Sequence, residues 1–240
     1  MQQGNVSVEV LVHGKPIREF PHNGETWVEG RKDSEYSLRV RNNTSKRVEV
    51  VMTVDGLSIM DGQPGDFNTR GYAIDAFQTV VIPGWRRSDD NVAKFVFAAV
   101  EESYAEKTGQ AGNIGVIGCA VFEELIQHHL IRPMHLGGFN NMRGGDEMLG
   151  TSMDMMSKGI GTGYGRETEH RVSRTEFRRA TPKPAEVFMI RYADRKGLKK
   201  AGVNLKPVAV IVDPAKAKPF PAEPKPQPQP SCPPPPGWKK

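Results

Sequence analysis

The sequence predicts a mainly β protein, an antiparallel β-sandwich or jelly roll. Three observations point there: alternating apolar and polar runs, Gly- and Asn-rich turn signals between them, and about ten short strand candidates before residue 125. In "NVSVEVLVHG" Val6, Val8, Val10 and Val12 share one face against Ser7, Glu9 and Leu11, and the run stops at His13-Gly14. "EYSLRVRN" sets Tyr36, Leu38 and Val40 against Ser37, Arg39 and Arg41, and "RVEVVMTV" aligns Val48, Val50, Met52 and Val54. Each strand has a wet and a dry face, as in an antiparallel sheet packed on one side.

Shorter candidates are 16–20, 26–28, 71–74, 79–82, 92–96 and 114–122. Asp55-Gly56 is a favoured two-residue hairpin pair, and Asp61-Gly62 closes the next short segment. These aspartates read as corners of a sheet. A carboxylate or calcium site is the alternative, but "DGQPGD" offers few further oxygen ligands. Helical character is confined to "VEESYAEKTG" and "EELIQHHLI".

Beyond the sandwich of residues 1–125, residues 126–166 read as a flexible Gly/Met-rich arm without sustained period. Residues 167–213 read as a small extension in which "AEVFMIRYA" is a strand, "DRKGLKKAGV" a helix begun by Asp194, and "PVAVIV" a second strand. That unit is too small to own a core and is expected to pack on the sandwich or a neighbouring subunit. Residues 214–240 carry eleven prolines and favour polyproline II.

The 240 residues are 37% apolar and carry a net charge of +5. That excess is interspersed with acids, so it reads as a solvated surface. Nucleic-acid binding is compatible with it but not indicated by it. Cys119 lies in an apolar run and Cys232 in the proline tail, which argues against a disulfide between them and for synthesis in a reducing compartment. The first residues lack a basic stretch followed by an apolar one, and no window reaches the ~20 apolar residues of a membrane span, so neither signal-directed export nor a membrane anchor is expected.

His128, His129 and His135 lack the i, i+4 spacing of a zinc helix, since neighbours on a helix point about 100° apart. Met142, Met148, Met153, Met155 and Met156 could hold Cu(I), but unbranched thioethers also suit contact with a partner. "GIGTGYG" lacks the preceding strand and the Lys-Ser/Thr of a phosphate loop, and reads as a hinge. No Gly-x-Ser-x-Gly elbow is present. Trp85 beside Arg86 and Arg87, with Tyr72, is the best ligand- or partner-binding candidate; the competing reading has Trp85 closing the sandwich while the arginines pair with Asp89 and Asp90.

Residues 30 to 124 resemble uncharacterised bacterial and bacteriophage β-rich proteins. The clearest pieces are "VDGLSIMDG", "RGYAIDAF" and "NIGVIGCAVFEE", with the later "IRYADRKGLKKAGV". The resemblance implies a fold and brings no catalytic residue.

The layout leads to an expected role as a non-enzymatic structural protein, in particular a phage virion component such as a capsid decoration, cement or fibre-base protein, made in the bacterial cytoplasm and located in the virion. Its partners would be other protein subunits, in a homo-oligomer or larger assembly, contacted through Met148, Met153, Met155, Met156 and Trp238. No cofactor, metal or catalytic residue is expected. The alternatives are a cytoplasmic bacterial module binding carbohydrate or an anionic polymer through Trp85, Tyr72 and Arg86 or Arg87, and an enzyme using Asp55, Asp61, Asp66 or the histidines.

Overall fold

A computed structural model describes residues 2–125 and 159–206. In chain order the strands are β1 (Gln2–Gln3), β2 (Val6–Val12), β3 (Lys15–Pro16), β4 (Glu19–His22), β5 (Glu25–Glu29), β6 (Glu35–Asn42), β7 (Val48–Val54), β8 (Leu57–Ser58), β9 (Tyr72–Ile74), β10 (Thr79–Ile82), β11 (Gly84–Arg86), β12 (Asn91–Ala98), β13 (Val116–Glu123), β14 (Gly161–Glu169) and β15 (Glu186–Ala193). The helices are α1 (Tyr104–Lys107) and α2 (Arg195–Lys200). The first sheet runs β1-β2-β6-β12-β11, with β3 on β2, β10 on β6 and β14 on β12. The second runs β4-β5-β15-β13-β7-β8, with β9 on β7; β15 and β5 are parallel, and every other pairing is antiparallel.

The sandwich follows from the alternation. Val6, Val8, Val10, Tyr36, Leu38 and Val40 of the first sheet and Val48, Val50, Met52 and Val54 of the second all enter one core, with Phe95 and Phe97 between the layers. Leu11, expected on the wet face, is also buried. The Asp55-Gly56 pair forms the expected turn, with φ of 53° and 79°, and Asp61 accepts a hydrogen bond from the Gln63 amide.

The sandwich does not end at residue 125. Segment 161–169, expected to be split between the end of the flexible arm and the start of the extension, is β14 and pairs with β12 from Asn91 to Ala98. Its glycines recur every second residue because this strand runs close to its neighbours. A Cβ on Gly161 would stand 2.7 Å from the Ser103 Cβ, and one on Gly165 would stand 2.5 Å from Val96 Cγ2. β15, assigned to a separate extension, lies in the middle of the second sheet and is flanked by β13 and β5. The alternation of Phe188, Ile190 and Tyr192, all buried, places it there. α2 begins at Asp194, as the sequence implies, with the carboxylate accepting the Gly197 amide at 2.7 Å. The Met148, Met153, Met155, Met156 and Trp238 contacts, the "PVAVIV" strand, the proline-rich tail and the histidines at 128, 129 and 135 lie outside the described residues.

Candidate functional site

The candidate patch around Trp85 resolves into different parts. Trp85 is 3% exposed, edge-on to Phe95 and tilted against Tyr104, and its Nε1 donates to the Gly163 carbonyl at 3.3 Å. It closes the core, as the competing reading has it, and presents no ring face for a ligand, which removes it from the binding patch. The cause is register: β11 pairs with β12 so that Trp85 stands opposite Ala93, a small side chain that leaves room for the indole.

Tyr72 and Arg86 do come together. Arg86 Nη2 donates to the Tyr72 hydroxyl and to His170 Nδ1, each at 2.7 Å, while Nη1 donates to the His170 carbonyl at 2.7 Å. A guanidinium only donates, so Nδ1 is the acceptor and Nε2 carries the proton. Burial first, and the Arg86 charge second, hold His170 below its ordinary pKa; burial also raises Tyr72. The three residues form a clamp joining β9, β11 and the exit from β14.

The arginine pairing also needs correction. Arg87 bonds Glu167 at 2.8 Å, Asp89 pairs with Arg174 at 3.0 Å, and Asp90 lies 4.0 Å from Arg171. The partners come from the distant β14 segment because β14 lies antiparallel on β12. Local sequence proximity could not reveal them.

Asp55 is a corner and more. Its side chain turns inward and is 1% exposed, accepting the Gly115 amide on Oδ1 and the Thr162 amide on Oδ2, each at 2.7 Å. The Tyr192 hydroxyl also donates to Oδ1 at 2.5 Å and lies 2.6 Å from Thr162 Oγ1, which in turn lies 2.7 Å from the Tyr36 hydroxyl. Each hydroxyl has one proton, so the order of donation is fixed: Tyr36 to Thr162, Thr162 to Tyr192, Tyr192 to Asp55. Burial, followed by the Asp55 charge, raises both tyrosines well above the usual phenol range. Tyr36 and Thr162 belong to the first sheet, Tyr192 and the Asp55 hairpin to the second. The chain of hydroxyls is an inter-sheet tie, buried throughout.

Cys119 is likewise buried, and burial pushes its thiol up to about 12, with Glu186 adding to the effect, so it stays protonated at neutral pH. Among the described residues no group of three or more His, Cys, Asp or Glu side chains is placed to hold a metal ion, and no helix is long and apolar enough to cross a membrane.

The outer face of the second sheet is the candidate interaction surface. Its two ends are covered by the chain itself. At one end residues 170–185 return as a strap, with Phe177 packed on Val51, Ala120 and Phe122. Arg179 pins the strap by bonding Glu49 at 2.6 Å and the Thr69 carbonyl at 3.0 Å, and its guanidinium stacks 3.8 Å from the Phe122 ring centre. Arg47, braced by Glu124 beyond β13, holds the same strap through the Thr175 hydroxyl and the Glu176 carbonyl. At the other end Leu198 of α2, with Val203, packs on Phe20 and Ala193. Between these covers the outward side chains of β15, Val187 and Met189, are 59% and 42% exposed. Neighbouring β13 sets Ala120 opposite Val187 and Gly118 opposite Met189, which leaves the methionine side chain standing clear beside a glycine. Periodicity could have found this strip: "EVFMIRYA" is apolar on both faces, as a strand buried on both sides would be.

The fold and this surface define a two-sheet β-sandwich with a partly self-covered outer face. No protein-family model, curated protein or solved structure matches the chain.

Proposed function

We propose that the protein is a non-enzymatic structural component that assembles with further copies of itself through the uncovered strip of β15. The observation that carries this reading is the exposure of Val187 and Met189 on a face otherwise covered by the chain's own strap and helix. Apolar surface left in water costs about 25 cal/mol per Å² relative to burial. Two apolar residues spaced two apart on a strand are also self-complementary. A two-fold axis near Phe188 lays Val187 of one copy on Met189 of the other, the reciprocal arrangement a symmetric dimer requires.

The finer reading is a bacteriophage virion component of the capsid-decoration, cement or fibre-base kind. It is supported by the Gly/Met-rich composition of residues 126–158 and the proline-rich composition of residues 214–240, and by the resemblance of residues 30–124 to bacteriophage and bacterial β-rich proteins.

The reading is tested by light scattering of the full chain against a V187E/M189E variant. A multiple of 26.6 kDa for the wild type, falling to 26.6 kDa in the variant with an unchanged far-UV spectrum, is the expected result. A wild-type monomer at the highest soluble concentration overturns it.

A further inference from the structure

A cleft of about 540 Å³ lies away from the β15 strip, between the β2–β3 turn, the β5–β6 turn and the start of α2. That volume is in the range of a small-molecule site. His13, Lys15, Arg18, Arg31 and Arg195 line it. Glu29 is the one acid among its described lining residues, and Arg195 lies 3.7 Å from it. Glu35, whose charge His13 also senses, is already bonded by Arg166 at 2.7 Å. Ile17, Phe20 and Leu205 supply an apolar wall.

Arg18 stacks 4.8 Å from the Phe20 ring centre and Arg195 lies by Glu29, yet the lining still holds four permanent positive charges to one carboxylate, which suits a ligand carrying several negative charges close together. Guanidinium forks match phosphate oxygens in pairs, and a lysine adds a point charge. The cations come from three separate stretches, and folding alone gathers them: residues 13–18 carry His13, Lys15 and Arg18 through and past a tight turn with positive φ at His13 and Gly14, Arg31 follows β5, and α2 brings Arg195 from the far end of the described chain. We infer that this cleft binds a polyphosphate group, either free or carried on an organic body that rests on the apolar wall.

Titration calorimetry at low and moderate salt with ATP, tripolyphosphate and adenosine tests this on the full chain. ATP and tripolyphosphate are expected to bind, adenosine to give no heat, and R31E/R195E to weaken binding at least tenfold. Both substituted residues are exposed, and circular dichroism checks that the fold is retained. A control, K107E/K183E, removes the same charge from exposed positions outside the cleft and is expected to change affinity less than twofold. Tighter binding of ATP than of tripolyphosphate assigns the site to an organic phosphate, and equal binding to free polyphosphate; both support the inference. No binding at millimolar ligand, an equal loss in the control, or binding of adenosine as strong as that of ATP overturns it. So does an oligothymidylate that displaces ATP at equal phosphate concentration, since the cleft would then belong to a nucleic-acid surface.

Discussion

Asp55 carries two burdens at once: a backbone in the left-handed region and a buried carboxylate with three donors. The turn was legible, because Asp-Gly between β-branched runs has few other uses. The carboxylate's partners were not, since Gly115, Thr162 and Tyr192 lie 60 to 137 residues away in sequence. Asp55→Asn keeps the shape but presents an amide group to at least one donor, and is expected to cost about 2–4 kcal/mol in urea unfolding. The tyrosines make a second expectation. Their folded pKa values lie above the ordinary 10.0, so the folded state keeps protons that the unfolded state releases. The tie is therefore intact below about pH 10 and stability falls as pH rises beyond it, each tyrosine contributing up to ~1.4 kcal/mol per pH unit. Tyr192→Phe lowers stability at neutral pH but should flatten this alkaline slope by up to about a quarter, since Cys119 and Tyr72 also keep protons in this range; an unchanged slope in urea titrations from pH 9 to 12 contradicts the tie. Trp85 shows the converse limit. An aromatic beside two arginines reads as a surface, and only the pairing of β11 with β12 turns it inward.

At the scale of elements, the early strands could be read because each has a clean period of two. β14 could not, since its alternating glycines resemble a hinge until the strands they approach are known. β15 was legible as a strand but not as a central one, because its place depends on β13 and on the parallel pairing with β5. The strap over residues 170–185 has no periodic signal and is held by single charged residues. Arg179 is the strongest of these, with its side chain and that of Glu49 only 19% and 12% exposed. Arg179→Ala leaves the Glu49 carboxylate without its cation and is expected to cost roughly 2–4 kcal/mol. It should also release residues 170–180 to proteolysis under conditions in which the wild type resists. Equal protection in both proteins would mean that Phe177 and Arg47 hold the strap unaided.

Within residues 2–125 and 159–206, two sheets are tied through Asp55 and a strap is held by Arg179, and among the described residues Val187 and Met189 of β15 stay exposed on the second sheet's outer face; under the proposed function that stretch would meet a second copy. The outer face of the first sheet is more polar, with the ion pairs Glu9–Arg39 and Glu35–Arg166 beside one exposed apolar side chain, Val81 of β10. That contrast supplies the control for the most direct measurement. A photoreactive benzoylphenylalanine is placed at Met189, and separately at Ser37 on the outer face of the first sheet, and each purified full chain is irradiated and its cross-linked peptides are mapped. Assembly through β15 predicts a species of twice 26.6 kDa from position 189, joined to residues near Val187 of the second copy, and little from position 37. No cross-linked species from position 189, or equal yields from both positions, would contradict assembly through β15.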